Sequence, residues 1–78
     1  SVSGDVGVLS SFVTARRVFV LASSSENVSL SVSLGGVSSS VVISEPRLYE
    51  VFSSVVPIDG ELVVSVPHGV SVYSLEVQ

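Results

Sequence analysis

Hydrophobic and polar residues alternate most regularly in the middle of the chain. Val28-Ser29-Leu30-Ser31-Val32-Ser33-Leu34 is strictly apolar-polar, Gly35-Gly36 follows, and a second strand is predicted over residues 37–44. A period of two marks a strand with one buried face, and Gly-Gly supplies the positive φ angles of a two-residue hairpin turn. Folding the two segments about that turn sets Leu34 opposite Val37, Val32 opposite Ser39, Leu30 opposite Val41 and Val28 opposite Ile43. The other face pairs Ser33 with Ser38, Ser31 with Ser40 and Ser29 with Val42. Slipping the pairing by one residue would turn the apolar row to water, so the register is strongly specified.

Around this hairpin, strands are predicted at residues 6–13, 18–22, 48–52, 55–58, 61–66 and 70–77. Residues 18–22, Val-Phe-Val-Leu-Ala, form an unbroken apolar run of the kind buried on both faces. Asp59-Gly60 is a strong short hairpin signal; it predicts Val56 opposite Val63 and Val55 opposite Val64, apolar and enclosed on both faces. Pro57 must then lie where the ladder needs no donor. Pro46 ends one strand, and Pro67-His68-Gly69 makes a turn. The alternation changes phase between Val72 and Tyr73, which predicts a bulge. No apolar 3.6-residue period runs for three turns, so no helix is expected. Seven to eight short strands, with turn signals about every 8–12 residues, predict an all-β fold: a small antiparallel β-sandwich, Greek-key-like, as one domain over 1–78. Its core is expected from Val18, Val20, Leu30, Val32, Val41, Ile43, Leu62, Val64 and Val72, joined by Phe12, Phe19 and Phe52.

Composition narrows the possible chemistry. Of 78 residues, 20 are valine and 19 serine, while Cys, Met, Trp and Lys are absent. Without cysteine there is no disulfide framework, Cys-type zinc site or thiol nucleophile. Three arginines against seven acids leave a net charge of −4, whereas a nucleic-acid binder needs a basic footprint. At 46% hydrophobic residues the chain is too apolar to stay disordered. A chain of this length buries only about 60% of its unfolded surface, so the core is small. Serine in place of lysine and glutamate on the polar faces points to an extracellular setting. The longest apolar run is far short of a membrane span, so no membrane partner is expected. Residue 1 is Ser, which points to a processed chain or a piece of a longer one.

The candidate catalytic groups do not assemble on paper. His68, the one imidazole, sits in a Pro-His-Gly turn and reads as a solvated loop residue. No G-x-S-x-G elbow exposes a nucleophile, so a Ser-His68-Asp59 triad has no scaffold. Asp5, Glu26, Glu45, Glu50, Asp59, Glu61 and Glu76 fall at predicted turns and strand ends. They read as charge that blocks strand addition rather than as a carboxylate pair across a cleft. One histidine and scattered acids give no metal-ligand spacing, and no cofactor is expected. Sugar binding calls for an exposed aromatic platform. Tyr49 and Tyr73 are the candidate sugar- or partner-contact residues, beside the plainer reading of a core ring with its hydroxyl at the rim. Asn27-Val28-Ser29 matches an N-glycosylation sequon at a turn. Arg16, Arg17 and Arg47 flank strands and are expected to pair with nearby acids.

The last third of the chain carries a resemblance. Leu48-Tyr49-Glu50-Val51, then residues 59–67 (DGELVVSVP), then residues 69–77 (GVSVYSLEV) resemble the "YDV", "DG-x-L-x-V-x-VP" and "V-x-VY-x-L" strands of one module family. That family is the C-terminal β-sandwich accessory domain of TIM-barrel glycoside hydrolases, the α-amylase-like domain C and similar modules. Arg16-Arg17-Val18-Phe19-Val20-Leu21-Ala22 and the alternating strand after Asn27 are similar to its opening "R-V-x-V-x-x-N". Ser23-Ser24-Ser25 displaces the family's asparagine, and the serine excess is unlike it. The resemblance implies a non-catalytic domain whose partner is the catalytic barrel of its parent chain, which it packs on and stabilises. The enzyme's carboxylates lie on barrel strands, so it implies no catalytic residue here. The alternative reading is a secreted structural or adhesive β-domain that self-assembles through its serine-rich face. A free-standing carbohydrate-binding module is disfavoured by the missing tryptophan.

Overall fold

β-Branched side chains fit a pleated strand better than a helix, and a chain this rich in valine stays extended almost throughout. The computed structural model describes residues 7–78. Five strands account for most of them: β1 (Gly7–Ser24), β2 (Val28–Leu34), β3 (Val37–Ile43), β4 (Arg47–Val66) and β5 (Val70–Val77). They form a single antiparallel sheet in the order β3-β2-β4-β1-β5, with no helix among the described residues. The protein is all-β.

The β2–β3 hairpin has the register that its alternation predicts, from Leu34 opposite Val37 to Val28 opposite Ile43. Gly35 and Gly36 have φ of 58° and 86°, the two positive values of a type I′ turn, whose twist matches that of the flanking strands. At the other end, Leu21 pairs with Ser74 and Ala22 with Val72, which leaves Tyr73 as the extra residue of a bulge where the phase change predicts one. Pro67, His68 and Gly69 turn the chain between β4 and β5, with the Val70 N–H donating to the Pro67 carbonyl at 3.3 Å and Gly69 at φ 95°.

The strand count differs from seven to eight. β1 runs through the segments expected at 6–13 and 18–22, and β4 through those at 48–52, 55–58 and 61–66. Val6 and Asp5 lie outside the described residues. Bulges stand where turns were expected. Ala15 pairs with Ile58, but Arg17 pairs with Ser53, so residues 54–57 bow out of β4 opposite Arg16. Pro57 falls in that bow, away from any ladder donor. One step further, Val18 pairs with Phe52 and Phe19 with Glu50, leaving Val51 as an inserted residue. The insertion turns both Val51 and Phe52 into the core. A bulge bends and twists a strand without reversing it, so the ribbon of β1 and β4 turns a corner as one continuous ladder. The strand order also departs from a Greek key, because β4 inserts between β2 and β1.

Asp59-Gly60 makes no hairpin. Asp59 pairs with Thr14 and Gly60 with Val13 in the unbroken β1–β4 ladder, and no pairing of Val56 with Val63 exists. Glycine is needed at 60 for a different reason: a Cβ there would lie 2.8 Å from the Cα of Gly35, so the β2–β3 turn packs backbone to backbone on β4. Nor is the segment enclosed. Val55, on the bow, is 93% exposed.

The core is one cluster drawn from β1, β2, β3 and β4, including Val18, Val20, Leu30, Leu34, Ile43, Tyr49, Phe52, Leu62 and Val64. Several of these have no exposed surface although no helix covers them, so the bent sheet covers its own inner face. Seven of the nine predicted core residues are buried, and Val41 and Val72 pack half-buried against them. Phe12 is a correction: it is 81% exposed, on the outer face opposite Glu61. In residues 18–22 only Val18, Val20 and Ala22 are buried, while Phe19 is half-buried and Leu21 exposed, so that run has a single core face.

Candidate functional site

Three surface depressions are candidates for function, and each follows from the strand pattern. The first lies on the outer face of β3, β2 and β4. Alternation sends Ser31, Ser33, Ser38 and Ser40 outward, and the pairing of Ser31 with Ser65 and Ser33 with Val63 continues the row onto β4. The result is a shallow groove of about 480 Å³ lined by hydroxyls and two valines, with no charged side chain. Hydroxyls both donate and accept, so the groove offers hydrogen bonds but no fixed charge to a ligand.

The second lies on the inner face, where β5 pairs only with residues 18–24 of β1 and leaves Gly7–Ala15 without a neighbour on that side among the described residues. Leu9, Leu62, Val64 and Leu75 line an apolar crevice there of about 200 Å³, flanked by Ser10 and Ser11. Leu62 and Val64 belong to the core, whereas Leu9 and Leu75 are partly open to solvent. The hydrophobic interior thus reaches the surface between β1, β4 and β5.

The third sits at the ribbon corner, lined by Arg16, Arg17, Ser54, Val55 and Gln78. The Gln78 carbonyl accepts from the main-chain N–H groups of Arg16 (2.7 Å) and Arg17 (3.1 Å), which ties the end of β5 to the corner. Arg17 Nε lies 3.2 Å from Glu50 Oε2, the expected arginine–acid pair. Arg47 departs from that expectation: its guanidinium lies over the Tyr49 ring, 5.0 Å from the centroid.

The groups considered for catalysis stay apart. His68 is exposed at its turn. Asp59 accepts from Thr14 Oγ1 at 2.7 Å and Glu61 from Ser10 Oγ at 2.6 Å. These two carboxylates sit mid-strand rather than at a turn, and each is engaged by a β1 hydroxyl across the ladder. Among the described residues no three His, Asp or Glu side chains come close enough to hold a metal ion.

The two tyrosines separate. Tyr49 is buried, and its hydroxyl is occupied: it accepts from the Ser44 N–H at 2.9 Å and donates to the Glu45 carbonyl at 2.7 Å. It pins the turn around Pro46 to the start of β4, much as a tyrosine corner fixes a sandwich. Its ring is not available as a contact platform. Tyr73 is 62% exposed, held by the β5 bulge with its hydroxyl 2.9 Å from Ser23 Oγ. The apolar crevice is the feature that sequence reasoning missed, because Leu9, Leu62, Val64 and Leu75 come from three strands whose register only the sheet reveals. No protein-family model and no curated protein matches the chain.

Proposed function

We propose that the chain is a non-catalytic accessory β-domain of an extracellular carbohydrate-hydrolysing enzyme, packed against the enzyme's catalytic barrel. The observation that carries this reading is the apolar crevice of Leu9, Leu62, Val64 and Leu75, a place where the core reaches the surface and a neighbouring domain would close it. Burying such surface contributes about 25 cal/mol per Å², which stabilises both partners. The reading rests also on the resemblance of residues 48–51, 59–67 and 69–77 to the closing strands of α-amylase-like C-terminal domains. The two arms of the bent β1–β4 ribbon correspond, in this reading, to the two layers of that family's sandwich.

The test is the intact mass of the native polypeptide that carries this segment. A mass far above the 8.0 kDa of these residues, with glycosidase activity that falls in thermal stability on Leu9→Asp or Leu75→Asp, is the expected result. A mass near 8.0 kDa leaves no room for a barrel and overturns the reading. In that event the second reading, a secreted self-assembling domain, is favoured by the uncharged groove of Ser31, Ser33, Ser38, Ser40 and Ser65.

A further inference from the structure

β3 is an edge strand, and its main-chain groups can be assigned one by one. A two-residue type I′ turn makes Leu34 and Val37 a hydrogen-bonded pair. By the period of two, Val37, Ser39, Val41 and Ile43 then direct their N–H and C=O groups to β2, and Ser38, Ser40, Val42 and Ser44 direct theirs away from it. Ser44 fits this phase, since its N–H donates to Tyr49 Oη at 2.9 Å and its carbonyl accepts from the Ser24 N–H at 2.6 Å. The end of β1 and Tyr49 of β4 come alongside at Ser44, but among the described residues no ladder other than that to β2 reaches β3, so Ser38, Ser40 and Val42 present a row of open donors and acceptors.

Edge strands are ordinarily guarded by charge, proline or a bulge. β5, the opposite edge, carries Glu76 and the Tyr73 bulge. β3 is Val-Ser-Ser-Ser-Val-Val-Ile, seven residues with no charge and no proline, paired to β2 without a register shift. We propose that β3 pairs antiparallel with β3 of a second copy, across a two-fold axis at Ser40. In that register Ser40 meets Ser40 of the second copy and Ser38 meets Val42, so the outward-directed groups of all three residues are paired in both copies. Parity also holds: Ser38, Ser40 and Val42 stay on the serine face, while Val37 meets Ile43 and Ser39 meets Val41 on the inner face. Each copy has a net charge of −4, but the strand brings no charged side chain to the axis. β5 is bulged and charged, and a two-fold pairing of like edges uses up β3 in both copies, so assembly through this strand closes at two copies. The crevice between β1, β4 and β5 takes no part, so the pairing goes beyond the accessory-domain reading and stands apart from it.

The test uses the 78-residue chain, which contains no cysteine. Sedimentation is expected to show a concentration-dependent rise from 8.0 kDa to twice that mass. Ser40→Lys places two like charges together at the axis, and Ser40→Pro removes a donor that points away from β2. Each is expected to abolish the dimer while the far-ultraviolet circular dichroism stays that of the parent chain. Ser40→Cys is the independent check. A hydrogen-bonded antiparallel pair sets its Cα atoms about 5.5 Å apart, within disulfide reach, so mild oxidation links two chains. Ser31→Cys, one strand further from the axis, is expected to stay unlinked. A monomer at millimolar concentration, polymers beyond two copies, or equal cross-linking at both cysteines each overturns the proposal.

Discussion

Gly35-Gly36 reverses the chain within two residues, whereas Gly60, also set among valines and just after an aspartate, carries β4 straight on. The difference lies in what stands beside each. Closing a hairpin about Gly35-Gly36 brings a mostly apolar row together on one face, Val32 with Ser39 excepted, and leaves mostly serines on the other, so one face needs cover and the other does not. Residues 55–58 and 62–64 are apolar on both faces, and a hairpin there would need cover on both sides that a small core cannot provide. β4 therefore extends, and its Asp59 and Glu61 find hydroxyl partners on β1 instead. The two segments are also in contact, since the Gly35 backbone rests where a side chain at 60 would be. Glycine marks a reversal at one position and a close crossing at the other.

The hairpin side of this comparison is tested hardest by Leu30→Ala. Leu30 is fully buried on β2, and its truncation is expected to cost about 2–5 kcal/mol, enough to unfold much of so small a domain. Chemical denaturation followed by circular dichroism reads it. An unchanged midpoint would mean the apolar row does not face the core.

Gly60→Ala against Gly36→Ala separates the two roles of glycine. At 60 the added methyl meets backbone at 2.8 Å, and overpacking of this kind is expected to cost about 1–3 kcal/mol. At 36 nothing lies within 4 Å, and the cost comes only from φ 86°, about 1–2 kcal/mol. Asparagine tolerates positive φ, so Gly36→Asn is expected to regain most of the loss in a thermal melt, and Gly60→Asn to regain none. Equal recovery at both positions would reduce Gly60 to another turn residue.

How far the fold can be read along the chain depends on whether each signal is local. The β2–β3 register, the bulge at Tyr73 and the turn at Pro67-His68-Gly69 all rest on residues close together, and all three are legible. The corner is not, because residues 54–57 bow out only where β1 lies alongside, and a bow reads like a turn in one dimension. Phe12 misleads for a related reason. Strand periodicity places it on a face, but only the pairing with Glu61 tells which face is outside. Of the candidate site, the serine groove follows from alternation alone, whereas the crevice depends on β1 lying between β4 and β5. The stacking of Arg47 on Tyr49 and the tyrosine's hold on Ser44 and Glu45 were open to a reader only as a tyrosine three residues after a proline.

That hold gives a smaller effect. Tyr49→Phe keeps the buried ring but leaves the Ser44 N–H and the Glu45 carbonyl without their partner. A net loss of about 1 kcal/mol is expected, the usual worth of such a bond. Hydrogen exchange is expected to quicken at the Ser44 amide while the Leu30 amide keeps the protection of the intact hairpin. Equal quickening at both would show that the turn and the hairpin open as one unit.

The smallest effect belongs to the corner and decides whether β4 truly extends. Val55 is 93% exposed on the bow, so Val55→Ser removes little buried surface. The change is expected to lie within about 0.5 kcal/mol, as for other surface substitutions. A Val55–Val64 hairpin pair closed around Asp59-Gly60 would bury that side chain, and losing it would then cost about 1.5 kcal/mol or more. Val64→Ala supplies the counterpart, because Val64 is buried in either arrangement and its loss is costly in both. Measured together, the two variants are additive if Val55 and Val64 are distant, and non-additive only if they touch across a hairpin.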